Sequence, residues 1–145
     1  MQPSTNNPAG TIMALDVGER RIGVARCSLD ARLPAPLTAL EHTDSVVADI
    51  ERLVTDNGAT ALVVGLPRGL DGQHTGQTAY VEEFVELVKP ALTIPVYWQD
   101  EAVTSRQAEE ELQRRGQPYQ KGDIDSLSAT YILEDFLREH PEGRA

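Results

Sequence analysis

Three acids stand where folding alone does not ask for a charge. Asp16 interrupts the apolar run Thr11–Val17 (TIMALDV), and on strand parity it shares a face with Ile12 and Ala14. A buried carboxylate without a partner costs on the order of several kcal/mol, so it needs hydrogen bonds, a cation or a metal. Glu101 follows Asp100 just past the apolar run Ile94–Gln99 (IPVYWQ). Ligand sites in open α/β sheets gather beyond the C-terminal ends of strands. Asp125 heads a stripe with Ala129, Ile132 and Phe136, at the spacing of one helix face. Each acid alone has an ordinary explanation: a helix-dipole partner for Asp125, solvated surface for Glu101, a turn acid ahead of Gly18 for Asp16. The weight lies in three of them coming from three different elements. Carboxylates so arranged suit hard, oxygen-seeking cations such as Mg²⁺ or Mn²⁺. Two such ions about 3.5–4 Å apart would activate a water and stabilise the leaving oxygen of a phosphodiester. Zinc is disfavoured, because His42, His74 and His140 are isolated in the sequence and Cys27 is the single cysteine.

The elements that must position these acids follow from hydrophobic periodicity and turn chemistry. Thr11–Val17 reads as a strand buried on both faces, and Gly18–Arg21 as a turn leading back into a second strand, Ile22–Ser28. Ala35–Leu40 is expected as a third strand. Val46, Val47, Ile50, Leu53 and Val54 have helical spacing between a cap at Asp44 and a stop at Gly58. Ala61–Leu66 is a short apolar run of the kind found in central parallel strands. Pro67–Gly76 (PRGLDGQHTG) is a loop on its glycine and proline content. A second helix carries Tyr80, Val81, Phe84, Val85 and Val88 and ends at Pro90; Ile94–Gln99 is the next strand. Thr104 with Gln107 matches a capping box for a helix to Gly116, and a last helix runs from Ile124 to His140. Ser126, Ser128 and Ala129 are small enough for that helix to approach the sheet closely. The order predicts one α/β domain over residues 11–145, a five-stranded mixed sheet with helices on both faces.

Composition narrows the partners. The chain has 145 residues, 40% hydrophobic and 25% charged, with a net charge of −10. Such acidity argues against a non-specific coat on nucleic acid, and leaves room for an enzyme with locally clustered basic residues. Arg20, Arg21, Arg68, Arg106 and Lys121 are the candidates for a nucleic-acid-binding rim. Arg68 lies in a glycine-rich loop whose amides would cradle a phosphate. Arg114 and Arg115 also serve a helix C-terminus, and Glu109–Glu111 read as a solvated helix face. Tyr97 and Trp98 read as strand residues rather than a stacking platform. Cys27 reads as a small buried thiol in a strand, with no internal disulfide, as in cytoplasmic proteins. Met1–Gly10 is polar and proline-containing, and is expected as a disordered arm. No apolar run approaches the length of a membrane span.

Leu15-Asp16-Val17-Gly18-Glu19-Arg20-Arg21-Ile22-Gly23-Val24-Ala25 resembles the opening motif of the YqgF/RuvX family, the Holliday-junction-resolvase-like branch of the ribonuclease H fold. Three further blocks agree in order: Val63–Pro67 with Asp71-Gly72, Gln99-Asp100-Glu101 with Thr104, and Gly122–Ala129. The resemblance implies that Asp16, Glu101 and Asp125 are metal-binding catalytic acids of a nuclease. The implied role is maturation of the 5′ end of precursor 16S ribosomal RNA, with cutting of Holliday junctions as the alternative. The sequence departs from the family pattern at Ala102, where Arg is common, and at Asp123, where basic or neutral residues are frequent.

Two other classes compete with that reading. A non-catalytic nucleic-acid-binding module would fit the acidic balance and Ala102, whereas the retained acids favour turnover. An ATP-binding domain of the sugar-kinase type would need a second lobe that 145 residues do not supply. A junction resolvase further requires two active sites related by symmetry, which would make a homodimer.

Overall fold

The computed structural model describes residues 10–101 and 105–143, with the side chains of Leu70, Ser105 and Arg106 left aside. Its strands are β1 (Thr11–Val17), β2 (Arg21–Ser28), β3 (Ala35–Glu41), β4 (Ala59–Pro67) and β5 (Val96–Glu101). They form one sheet in the order β3-β2-β1-β4-β5. The hairpin-linked pairs β1/β2 and β2/β3 are antiparallel, while β1/β4 and β4/β5 are parallel. The expected mixed five-stranded sheet is therefore the one observed.

Alternation along β1, β2 and β4 sends two apolar sets to opposite faces. Met13, Leu15, Val17, Val24, Leu62 and Val64 pack under two helices, α1 (Val46–Asp56) and α2 (Gly76–Val88). Ile12, Ala14, Ala25, Cys27, Ala61 and Val63 meet the last helix, which places α4 (Lys121–Glu139) on the other face through Ala129, Ile132, Leu133 and Phe136. The remaining α-helix, α3 (Ser105–Arg115), lies against α4 through Ala108, Leu112 and Leu127. The α4-facing sheet surface is made largely of alanine and glycine, so this helix sits close. An added Cβ at Gly23 would lie 2.0 Å from the Asp125 carbonyl oxygen, and one at Gly65 2.4 Å from Ile132 Cδ1.

Several boundaries differ from expectation, each for a local reason. β5 extends through Glu101 because its parallel ladder with β4 continues to the pair Pro67 and Glu101. Glu101 is thus the last residue of a strand rather than a residue beyond one. α4 begins at Lys121, one turn before Asp125, because the Asp123 carboxylate accepts the Gln120 N–H at 2.8 Å. The unusual Asp123 is the third-residue partner of Gln120 in the capping box of α4. α2 starts at Gly76 on a Thr75–Thr78 capping box, and Thr78 Oγ1 also donates to the Pro67 carbonyl at 2.5 Å. Part of the expected loop is therefore tied between strand and helix. Ser45, not Asp44, occupies the cap of α1, and Gly58 ends that segment at φ +61°.

One surface assignment changes. Glu111 is half-buried and accepts from Tyr131 and Arg115, which lowers its carboxyl below the ordinary range; it is not part of a plain solvated face. Ser126 and Ser128 are buried. Cys27 is buried, and burial pushes its thiol up. Gly10, counted with the arm, is buried and its carbonyl accepts the Leu29 N–H at 3.0 Å. The rest of the arm, and the Thr104 cap with Ala102, lie outside the described residues.

Candidate active site

Strand parity and the crossing of α4 bring the three acids to one edge of the molecule. Asp16 projects from the α4 side of β1, opposite Gly23 in the β1/β2 ladder. Glu101 is on the same side of β5, since Tyr97, two positions before Gln99, packs on Phe136 of α4 and Gln99 Nε2 donates to Glu139 of α4 at 3.1 Å. Position 65 of β4 lies between them. An added Cβ there would come within 3.3 Å of Glu101 Oε1, so Gly65 leaves the space the glutamate uses.

Asp16 and Glu101 are hydrogen-bonded to each other. Burial, the Asp16 charge and this hydrogen bond push the Glu101 carboxyl from its ordinary 4.5 up to about 9. Asp16 is raised too, first by burial and further by the charge of Asp125, with the hydrogen bond from Glu101 opposing. Without a cation the pair therefore keeps one proton, held on Glu101 and donated to Asp16, because two buried like charges in contact do not both ionise.

Asp125 is close enough to raise Asp16, but its own Oδ2 accepts from Arg21 Nε at 2.5 Å. Among the described residues no group of three His, Cys, Asp or Glu side chains stands ready to hold a metal ion. The donor chemistry nonetheless fits a hard divalent cation: all-oxygen ligands, a carboxyl pair stabilised by a proton a cation would replace, and a third carboxylate that Arg21 holds through Oδ2. Asp16, Glu101 and Asp125 are the residues that would hold it.

The basic candidates divide. Arg21 belongs to the cluster itself, through Asp125. Arg20 and Lys121 are exposed, in the β1–β2 turn and at the start of α4. Arg68 is turned onto its own surroundings, 3.5 Å from Asp100 Oδ1 and donating to the Gly72 carbonyl at 3.3 Å. By strand alternation Asp100 points away from the Glu101 side, so Arg68 does not join the acids. The Arg106 side chain lies outside the described residues. Tyr97 is stacked on Phe136 with ring centroids 5.7 Å apart, a packing role as expected. Sequence reasoning missed Gly23 and Gly65; a glycine inside an otherwise β-branched strand is the signal that another backbone or side chain comes close. It also missed His42, whose backbone N–H donates to the Arg20 carbonyl at 2.9 Å and whose Nδ1 lies 2.8 Å from the Gly18 carbonyl oxygen, bracing the turn between Asp16 and Arg21.

Known proteins resemble this chain in sequence and in fold. A 43% identical relative from Chloroflexus aggregans aligns over 131 residues, 88% of this chain and 92% of its own, and one from Roseiflexus is 39% identical over 88% of this chain and 94% of its own. Both are named as candidate pre-16S rRNA nucleases. Among solved structures, Thermus thermophilus RuvC bound to a Holliday junction substrate superposes with a TM-score of 0.56 at 16% identity, covering 90% of this chain and 96% of that one. The fowlpox virus Holliday junction resolvase with its junction DNA gives 0.53 at 10% identity, covering 88% and 99%. These distant structures share the ribonuclease H-like fold. The profile of the RuvX family, described as Holliday junction resolvase, matches residues 10–139. With that match spanning almost the whole chain, and relatives above 40% identity beside it, the protein belongs to the RuvX family of resolvase-like nucleases.

Proposed function

We propose that this protein is a divalent-metal-dependent nuclease that hydrolyses phosphodiester bonds of structured RNA, acting on the 5′ end of precursor 16S rRNA in the cytoplasm. The observation that carries the chemistry is the half-buried Asp16–Glu101 pair beside Asp125, at the C-terminal edge of parallel strands. The substrate follows from the relatives' names.

Mg²⁺ or Mn²⁺ bound there, as one ion or a pair, would make a water nucleophilic near neutral pH and offset charge on the phosphate in the transition state. The chain's own groups do the rest. Asp16 and Glu101, with their shared proton released to solvent, would be the carboxylate pair that holds the cation. Asp125 aims Arg21 through Nε, which leaves the other guanidinium N–H groups to meet a phosphate oxygen. Arg20 and Lys121, both exposed, would extend the positive rim along the nucleic-acid backbone.

The family description favours a second reading, cleavage of four-way DNA junctions by a homodimer. One experiment separates them. A precursor 16S leader and a four-way junction are incubated side by side with Mg²⁺, Mn²⁺ or chelator, using wild type and Asp16→Asn, with mass measured in solution. Metal-dependent cleavage of the leader by wild type alone is expected. Preferential junction cleavage by a dimer selects the second reading. No cleavage of either, with every metal, leaves a binding module.

A further inference from the structure

Among the described residues one buried side-chain polar atom has no hydrogen-bond partner: Ser128 Oγ, in a residue only 3% exposed. Its neighbours on α4 show that this is not forced by the helix. Thr130 Oγ1 donates to the Ser126 carbonyl at 2.9 Å, and Ser126 Oγ to the Asp123 carbonyl at 3.4 Å. Ser128 has the same kind of carbonyl one turn back and does not use it. An unpaired buried hydroxyl is disfavoured, so the position calls for a partner supplied from outside the chain.

The surroundings say which. Ser128 follows Asp125 by three residues, so the two side chains lie on neighbouring positions of one helix face, on the order of 5–6 Å apart at Cβ. Four residues further on, Ile132 lies over Gly65, the position whose added Cβ would also come within 3.3 Å of Glu101 Oε1. Along the helix Ser128 thus falls between Asp125 and Ile132, the residue that shares the space over Gly65 with the Glu101 carboxyl. Its hydroxyl is one helix position from the Asp125 carboxylate, in a residue shielded from bulk water. Resting on the reading that these acids bind a divalent cation, we propose that Ser128 is a positioning residue that hydrogen-bonds the hydration shell of that cation. A carboxylate at position 128 would add charge to an already repelling group; a hydroxyl orients a water without doing so.

Mn²⁺ binding, followed by calorimetric titration and by electron paramagnetic resonance of the free ion, is compared in wild type, Ser128→Ala, Ser126→Ala and Asp16→Asn. Unfolding of each in chelator is measured alongside. Ser128→Ala is expected to melt at or above wild type in chelator and to bind Mn²⁺ about tenfold more weakly, the low end for loss of a group that orients a ligand. Ser126→Ala keeps wild-type Mn²⁺ affinity. Loss of stability in chelator for Ser128→Ala, or unchanged Mn²⁺ affinity while Asp16→Asn loses it, overturns the role of Ser128 and leaves the acid cluster standing. Undiminished Mn²⁺ binding by Asp16→Asn overturns the acid cluster itself, and this role with it.

Discussion

Replacing a proposed metal ligand should make the metal-free protein more stable at alkaline pH. Glu101 has its carboxyl pushed from 4.5 to about 9 in the folded state. Between those two values the folded chain holds a proton on Glu101 that the unfolded chain has released. Stability therefore falls as pH rises through this window: the contribution is fully present below about 4.5 and lost by the time pH passes about 9. Taken at face value the interval is worth roughly 6 kcal/mol at 1.4 kcal/mol per decade. Water reaches part of the Glu101 side chain, and screening reduces this to about 2 kcal/mol. Glu101→Gln keeps a donor toward Asp16 but has no proton to lose. In chelator at pH 8 it should exceed wild type by about 2 kcal/mol, a rise of about 4–8 °C in melting temperature for a domain of this size. Urea unfolding from pH 5 to 9 with chelator present reads this directly: wild type slopes downward, Glu101→Gln much less, the residual slope belonging to Asp16. The same variant should lose cleavage. A flat wild-type profile, or Glu101→Gln no more stable than wild type at pH 8, refutes the shared proton.

Saturating Mn²⁺ at pH 8 should raise the wild-type melting temperature and leave Glu101→Gln nearly unmoved, since the cation replaces the proton the glutamine cannot release. Gly23→Ala should cost at least about 3 kcal/mol in urea unfolding, because its Cβ meets backbone oxygen of Asp125 rather than a side chain able to turn aside. Cleavage by the surviving folded fraction should fall as well, with Asp125 displaced. Asp125→Asn should abolish cleavage while shifting stability by no more than about 1 kcal/mol, since the lost attraction to Arg21 and the relieved repulsion at Asp16 oppose each other. Asp123→Ala should cost about 1 kcal/mol of thermal stability, as loss of a helix cap does, with cleavage retained.

The sheet, its helices and their order are legible because apolar periodicity and turn residues are local signals. Ile12, Ala14 and Asp16 on one face, and the Asp125–Ala129–Ile132–Phe136 stripe, follow from period alone. Boundaries set by partners in space are not local. The extension of β5 to Glu101 depends on its ladder with β4, and the early start of α4 on an aspartate that sequence comparison marks only as unusual. The same limit governs the charges. Arg21 is as basic as Arg20 in the sequence, and only the docking of α4 decides that one meets Asp125 while the other faces solvent. Arg68 is adjacent to the right strand end, yet alternation along β5 puts its partner Asp100 on the wrong side for the cluster.

The lodging of α4 against Gly23 and Gly65 has a temporal consequence. Asp16 is made with β1 and Asp125 only with α4, and every other strand and helix is made in between. The β1–β2 hairpin and the parallel crossover to β4 can form on a nascent chain, but the acids converge only when α4 settles into the groove that the two glycines leave open. A chain grown only as far as the end of β5 carries Asp16 and Glu101 without Asp125 or the Ser128 hydroxyl. Under the proposed function, hydrolytic competence would arrive in this single docking event, and a copy without α4 would be inert toward RNA.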